Sequence, residues 1–164
     1  TILNMRELSL AVALIRARPD QAAWLGRRRS LTDPQTGAVK QRIEFVITDA
    51  IDAESIRMAV AREVSWVLDI DRDRDLLVSN MAQLNIQFEG VVPGTTERCD
   101  VTAAFYNVNF YRHAAIDRIA GSTEFVWLAA HEICTGRTES GIELDPRFVW
   151  LNEHANVIQP WESD

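Results

Sequence analysis

The chain has 164 residues, of which 47% are hydrophobic and 25% are charged. This length and composition predict a single domain, residues 1–164, with a substantial core. No run of about 18 apolar residues is present, so we expect no membrane-spanning segment. The formal net charge of −7 disfavours a protein that binds nucleic acid or another polyanion. Residues 1–48 nevertheless carry eight Lys or Arg against four acids, so a local anion site remains open there.

The two cysteines, Cys99 and Cys134, lie far apart and form no CxxC pair. A zinc site or a disulfide scaffold is therefore not expected, and a reducing compartment, the cytoplasm, fits best. The three histidines, His113, His131 and His154, form no HxxxH pair. We expect them to be surface or hydrogen-bonded structural residues.

The first third of the chain predicts β-structure. SLAVALI and AAWLGRRRS are interpreted as two strands of a hairpin, with a tight turn at Pro19 and Asp20. For SLAVALI, periodicity alone also allows a buried helix. LTDPQTGAVKQ is typical of a loop, because Pro34 and Gly37 interrupt it. RIEFVIT is rich in β-branched and aromatic residues and predicts one strand.

From Glu54 onward the pattern predicts a helix. An apolar stripe recurs at steps of three and four residues: Ile56, Val60, Val64, Val67 and Leu68. Asp52 is the expected N-terminal cap, and the helix is expected to end near Asp69. The following run, DIDRDRD, predicts a solvated segment of alternating charge.

The second half of the chain predicts strands and then helices. LLVSNMAQLNIQFEGVV indicates strand structure up to a turn at Pro93 and Gly94, and VTAAFYNVNFY is the clearest strand. STEFVWLAAHEI predicts a strand that becomes a short helix, and a closing helix follows Pro146. The whole pattern predicts a mixed α/β domain.

The stretch from Thr48 to Ile70 resembles the Nudix box. That box is a Gly, five residues, Glu, seven residues, and then Arg-Glu-U-x-Glu-Glu-x-Gly-U, where U is aliphatic. The positions that match are Glu54, Arg62, Glu63, Val64 and Ile70. The positions that depart are Thr48 for the first Gly, Trp66 and Val67 for the paired glutamates, and Asp69 for the second Gly.

The rest of the chain is similar to Nudix proteins in outline. AVALIRARPDQAAWLGRRR resembles their opening hairpin, and EFVWLAAHEICTG with GIELDPRFVWL resembles their ending, a strand followed by two helices. The resemblance implies an α/β Nudix fold, in which a mixed β-sheet is sandwiched between helices (α/β/α). Because Nudix proteins often dimerise, the resemblance also makes a homodimer an expectation.

The resemblance assigns two roles inside the box. Glu54 and Arg62 correspond to the family's structural ion pair, which ties the loop to the helix. The other role is metal binding, because diphosphate cleavage requires divalent cations held by carboxylates. Of the three metal-binding carboxylates only Glu63 remains, and it is the candidate catalytic residue if the protein is active. The indole of Trp66 and the isopropyl group of Val67 offer no oxygen, so we expect no metal ligands and no cofactor.

Several functions remain open at this point. The first is a Nudix-fold pseudoenzyme, a non-catalytic module that binds a nucleotide-like ligand or a protein partner, or regulates one. The alternative is a divergent Nudix hydrolase that cleaves a nucleoside diphosphate-linked substrate with Mg²⁺ or Mn²⁺. It would use Glu63 with relocated acids such as Asp49 and Asp52. A third is a structural or regulatory module within a larger polypeptide.

Three residues are candidates for ligand binding. Strand alternation places Arg27 and Arg29 on one face, where they could hold a phosphate or carboxylate with paired hydrogen bonds. Alternatively, these arginines protect an exposed strand edge by their charge. Trp66 could stack on a base, although packing against a loop as peripheral core is the slightly favoured interpretation.

Overall fold

The computed structural model describes residues 5–18, 20–49, 55–80 and 84–162. Strands and helices are mixed along the chain, in agreement with the predicted α/β class. In order they are β1 (Arg6–Ile15), β2 (Ala23–Thr32), β3 (Val39–Glu44), β4 (Ile47–Asp49), α1 (Ile56–Leu68), α2 (Arg72–Asp75), β5 (Leu76–Asn80), β6 (Ile86–Val91), β7 (Arg98–Phe110), α3 (His113–Ala120), β8 (Phe125–Ala129), α4 (Ala130–Thr135), β9 (Glu143–Leu144) and α5 (Pro146–Ala155). None of the described helices is long and apolar enough to span a membrane.

The strands form two sheets. The first has the order β4-β1-β7-β5, and β6 also pairs with β7. This is possible because β7 has 13 residues, so β6 pairs with residues 98–103 and β5 with residues 106–110. The second sheet has the order β8-β2-β3-β9. The predicted sheet is therefore divided in two.

The predicted hairpin between β1 and β2 is wrong, although both strands exist. β1 is antiparallel to β4 and parallel to β7, whereas β2 pairs with β3 and β8 in the other sheet. Residues 10–15 of β1 are all buried, as expected for a strand covered on both faces. Because β4 and β7 occupy the two edges of β1, no edge remains with which β2 could pair. The predicted turn residue Pro19 lies outside the described residues.

RIEFVIT is also not a single strand. β3 ends at Glu44 in the second sheet and β4 begins at Ile47 in the first sheet. The two intervening residues, Phe45 and Val46, carry the chain between the sheets. This crossing places β3 beside the end of α1, where the candidate site lies.

The predicted helix is present as α1, and its ends have clear causes. The Ser55 hydroxyl accepts a hydrogen bond from the Met58 backbone N–H at 3.2 Å and caps the helix. The predicted cap, Asp52, lies outside the described residues. The helix ends where Asp69 adopts a left-handed conformation, with φ 52° and ψ 55°. Asp69 occupies the position where the Nudix box has its second Gly, and Gly is the usual residue in the left-handed conformation.

Two apolar clusters lie on opposite sides of the sheets. One side is covered by α1, whose Val60, Val64 and Leu68 are buried. The other side is covered by α4 and α5, which bury Ile133 and Phe148. Two helices were not predicted: α2, within the charged run, and α3. The residues of α2 are mostly exposed, so the prediction that this run is solvated agrees with the structure.

Candidate functional site

A cleft opens between the end of α1 and the second sheet. The cleft is open to solvent, and its interior volume is small, about 60 Å³. Its lining is largely apolar and comes from five elements and the β3–β4 crossing: Ile15, Leu25, Gly26, Arg27, Glu44, Phe45, Val46, Val67, Leu68 and Phe125. The position where the Nudix box has its second paired glutamate, Val67, therefore forms part of an apolar wall.

Arginines and glutamates form an ion-pair network at the edge of this cleft. Arg27 and Arg29 lie on one face of β2, as strand alternation predicts, and the register places Arg27 opposite Glu44 of β3. Arg27 Nε donates a hydrogen bond to Glu124. Glu44 accepts from Arg29 at 3.2 Å and from Arg42 at 2.9 Å. Arg27 and Glu44 therefore line the cleft itself, and Arg29 and Arg42 pair with Glu44 beside it.

Two of the three box positions for metal-binding carboxylates, Trp66 and Val67, lie on different surfaces. Val67 faces the cleft, but Trp66 is 79% exposed and lies in an outer groove with Ser65 and Arg72. Adjacent helical residues are separated by about 100°, which explains why Trp66 and Val67 do not share a surface. The interpretation of Trp66 as peripheral core is therefore wrong. Glu63 is half-buried and forms no hydrogen bond or ion pair with another described residue.

No protein-family model and no curated protein matches this sequence. Among solved structures, a possible asymmetric diadenosine tetraphosphate hydrolase from Jonesia denitrificans is 16% identical, with a TM-score of 0.51 over 94% of this chain and 98% of that chain. A MutT protein from Methanosarcina mazei is 19% identical, with a TM-score of 0.48; the match covers 94% of this chain and 96% of that chain. A Nudix hydrolase from Nitrosomonas europaea is 17% identical, with a TM-score of 0.46; the match covers 95% of this chain and 94% of that chain.

The chain has the Nudix fold. At these identities the likeness concerns the fold alone, so the site must be judged from its own residues.

The described residues of this Nudix fold do not form a site that fits a divalent metal ion. Mg²⁺ and Mn²⁺ need several oxygen ligands that converge, and the described part of α1 offers only Glu63 at the box positions. Within the described ranges, no group of three His, Cys, Asp or Glu residues is arranged to hold a metal ion. Asp52 and Glu54 lie outside those ranges, so the Glu54–Arg62 ion pair remains a prediction.

The structure adds cleft residues that the sequence analysis missed. Arg42 and Glu44 complete the network with Arg29, and Phe45 and Phe125 line the cleft. One signal was available, because Arg42 and Glu44 alternate with Ile43, as expected for a strand with one charged face. No comparable local signal connects Glu124 with Arg27, because 97 residues separate them.

The network also lowers the pKa of one carboxyl group. Burial by itself raises the pKa of Glu44, but the hydrogen bonds and charges of Arg42 and Arg29 together bring it below its ordinary value. A lowered pKa in the folded state means that the ionised carboxylate stabilises the fold above the pKa of the unfolded chain. This stabilisation is lost as the pH falls through the lowered pKa.

We therefore expect Glu44→Gln to lower the melting temperature at about pH 7. Its effect should shrink as the pH falls through the lowered pKa of Glu44 and the carboxyl group becomes protonated. Thermal melts of both proteins across this range measure the difference. Glu139→Gln is the control, because Glu139 is exposed and contacts His131 outside the network. A Glu44→Gln effect that stays constant with pH would contradict the assigned role.

Proposed function

We propose that this protein is a non-catalytic Nudix-fold module of the cytoplasm that binds a nucleotide-like small molecule in the cleft beside Val67. One observation carries the proposal: an apolar side chain replaces a metal-binding glutamate in the cleft wall, and Arg27 lines the same cleft. The cytoplasmic location follows from the cysteine prediction, and Cys99 and Cys134 are both free thiols.

The apolar part of the cleft is suited to a ring. Phe125 contributes to its lining, and aromatic side chains bind planar groups by stacking and edge contacts. The ring of Phe45 packs instead on the other side of the sheets, where it stacks on Phe148 with ring centroids 3.7 Å apart.

The charged part of the cleft is suited to a phosphate or diphosphate group. A guanidinium carries five N–H donors, and Glu124 and Glu44 take up only some of those of Arg27 and Arg29. The remaining donors are available to phosphate oxygens, which arginine binds in a bidentate manner. In the metal-dependent family the divalent cations balance this phosphate charge. In this cleft the arginines supply the positive charge.

We expect no stoichiometric uptake of Mg²⁺ or Mn²⁺ in calorimetric titration, because Glu63 alone cannot hold these ions. We also expect no metal-dependent turnover of a broad panel of nucleoside diphosphate derivatives. ADP should nevertheless bind in the presence of EDTA. The same titration with Trp66→Glu/Val67→Glu should show a higher affinity for the metal ions, since the variant restores two oxygen donors within one turn of Glu63.

The opposite outcome would identify the alternative, a divergent hydrolase. Metal-dependent release of phosphate or nucleotide that is lost in Glu63→Gln would overturn the non-catalytic proposal. Turnover that survives Glu63→Gln would overturn it as well and would place the chemistry outside the box.

A further inference from the structure

A second groove lies where β5 meets α1. It is open to solvent, and its interior volume of about 290 Å³ exceeds that of the cleft beside Val67. Met58 and Tyr111 in its wall are large hydrophobic side chains that are 44% and 62% exposed. The two sites share none of their described lining residues, so the groove is a separate surface. Its walls come from α1, α2, β5 and the residue after β7: Arg57, Met58, Ala61, Arg72, Asp73, Leu76, Leu77, Val78 and Tyr111.

The groove follows the outer edge of β5. Side chains alternate between the two faces of a strand, yet the consecutive residues Leu76, Leu77 and Val78 all line this groove. A groove that runs along the edge of the strand accounts for this. Among the described residues β5 pairs with β7 alone, at the end of its sheet, so its other edge faces the groove.

The hydrogen-bond pattern identifies the backbone groups that face outward. The Tyr111 N–H donates to the Asp75 carbonyl at 2.9 Å, so residues 75 and 111 form a hydrogen-bonded pair. In an antiparallel ladder such pairs alternate with pairs that are not hydrogen-bonded. Residues 77 and 79 therefore direct their N–H and C=O groups toward β7. Leu76, Val78 and Asn80 direct theirs away from β7, into the groove.

This edge lacks the features by which proteins usually prevent association. Exposed edge strands commonly carry lysine, proline or a bulge. The sequence of β5 is LLVSN, which has no charge and no proline, and it pairs with β7 without a break from Leu76 to Asn80. An edge with outward backbone groups is suited to another extended strand that continues the sheet.

Arginines lie toward both ends of this edge. Arg72 belongs to α2, which leads directly into β5 at Leu76. Arg57 lies near the other end. Burial raises the pKa of Tyr106 and the charge of Arg57 opposes this rise, and Tyr106 is the strand partner of Asn80. Residues 76 and 80 are about 13 Å apart along an extended strand, which is the distance between residues four positions apart in a paired strand.

The charge of the groove favours one class of occupant. Asp73 is the one acid among the described lining residues, against the two arginines Arg57 and Arg72. The groove therefore carries a positive excess on a chain whose net charge is −7. A strand from a second copy would bring its own two arginines against these, and like charges on paired strands are destabilising. An acidic strand would bring the opposite charge.

We propose that the outer edge of β5 binds an extended acidic segment of a partner protein, which adds a strand to the first sheet. The backbone of this segment pairs with Leu76, Val78 and Asn80. Two of its carboxylates, four residues apart, meet Arg57 and Arg72, and the apolar side chain between them packs on the exposed side chain of Met58. The cleft beside Val67 stays open, so this interaction does not depend on the proposed function.

A labelled peptide with blocked ends, Thr-Glu-Thr-Val-Thr-Glu-Thr, is the probe, and fluorescence anisotropy measures its binding. Its two glutamates and its valine share one face of the extended chain. We expect the same peptide with lysine in place of glutamate to bind at least about tenfold more weakly. A peptide whose backbone amides are all N-methylated should not bind, because it cannot donate hydrogen bonds to the strand edge. Hydrogen exchange at the amides of Leu76 and Val78 should slow when the acidic peptide binds.

Arg57→Glu/Arg72→Glu tests the contribution of the charges. We expect this double variant to lose at least about tenfold in affinity for the acidic peptide and to gain affinity for the lysine peptide. Arg98→Glu/Arg147→Glu is the matched control, because it changes the net charge equally at two arginines outside the groove. Its affinity for both peptides should equal that of the wild type. Circular dichroism of each variant confirms that it is folded.

Several outcomes would overturn the proposal. One is no binding of the acidic peptide at a protein concentration of about 1 mM. Others are equal affinity for the lysine or N-methylated peptide, or equal losses in the two double variants. Protection of the Leu76 and Val78 amides that grows with protein concentration in the absence of peptide would assign the edge to a second copy and would also overturn the proposal.

Discussion

Replacement of both Arg27 and Arg29 by alanine should weaken the binding of ADP by about a hundredfold. A hydrogen bond to a charged group contributes about 1.5–3 kcal/mol, and each 1.4 kcal/mol corresponds to a factor of ten in affinity. The double variant removes two such donors. It also leaves Glu124 without Arg27, although Glu44 keeps its ion pair with Arg42, and the uncompensated Glu124 adds negative charge beside the phosphates. Calorimetric titration of ADP in EDTA measures the change.

Arg28→Ala is the control for this experiment. Arg28 lies between Arg27 and Arg29 on β2, and strand alternation directs its side chain to the other face. We expect its affinity for ADP to equal that of the wild type, because the change in net charge at this position is remote from the cleft. If Arg28→Ala and the double variant lost the same amount of ADP affinity, only the overall charge of the protein would matter for binding. The proposal that ADP binds in the cleft beside Val67 would then be wrong.

Replacement of Phe148 by alanine should lower the free energy of unfolding by about 3–5 kcal/mol. Phe148 is 1% exposed, and its ring is stacked on Phe45 with an angle of 12° between the planes. Alanine would leave a cavity beneath Phe45 that the surrounding sheet and helices cannot fill.

Urea denaturation followed by circular dichroism measures the loss of stability. Trp161→Ala is a control of comparable size, because Trp161 is 74% exposed and its removal should change stability by no more than about 0.5 kcal/mol. If Phe148→Ala lost less than about 1 kcal/mol, the close packing of the second sheet against α5 would be contradicted.

The sequence by itself determined the elements whose signals are local. The apolar stripe from Ile56 to Leu68 predicted α1, and the dense run of β-formers predicted β7. The strand that becomes a helix after Ala129 and the closing helix after Pro146 were also predicted. These succeeded because hydrophobic periodicity, caps and proline act within a few residues. The same local spacing of Arg62 and Glu63 indicated the Nudix box, and with it the fold.

Only the tertiary structure decided which strands are neighbours and which side chains share a surface. A short segment with a turn signal predicts a hairpin, but β1 is enclosed by β4 and β7, so β2 joins the other sheet. The cleft likewise combines Arg27, Glu44 and Val67 with Phe125, residues up to 98 positions apart. Strand pairing depends on which apolar faces can be buried together, and that choice is made over the whole chain. The apolar stripe separated Val67 from its neighbour Trp66, but no local pattern predicted that Val67 would line a cleft together with Arg27 and Phe125.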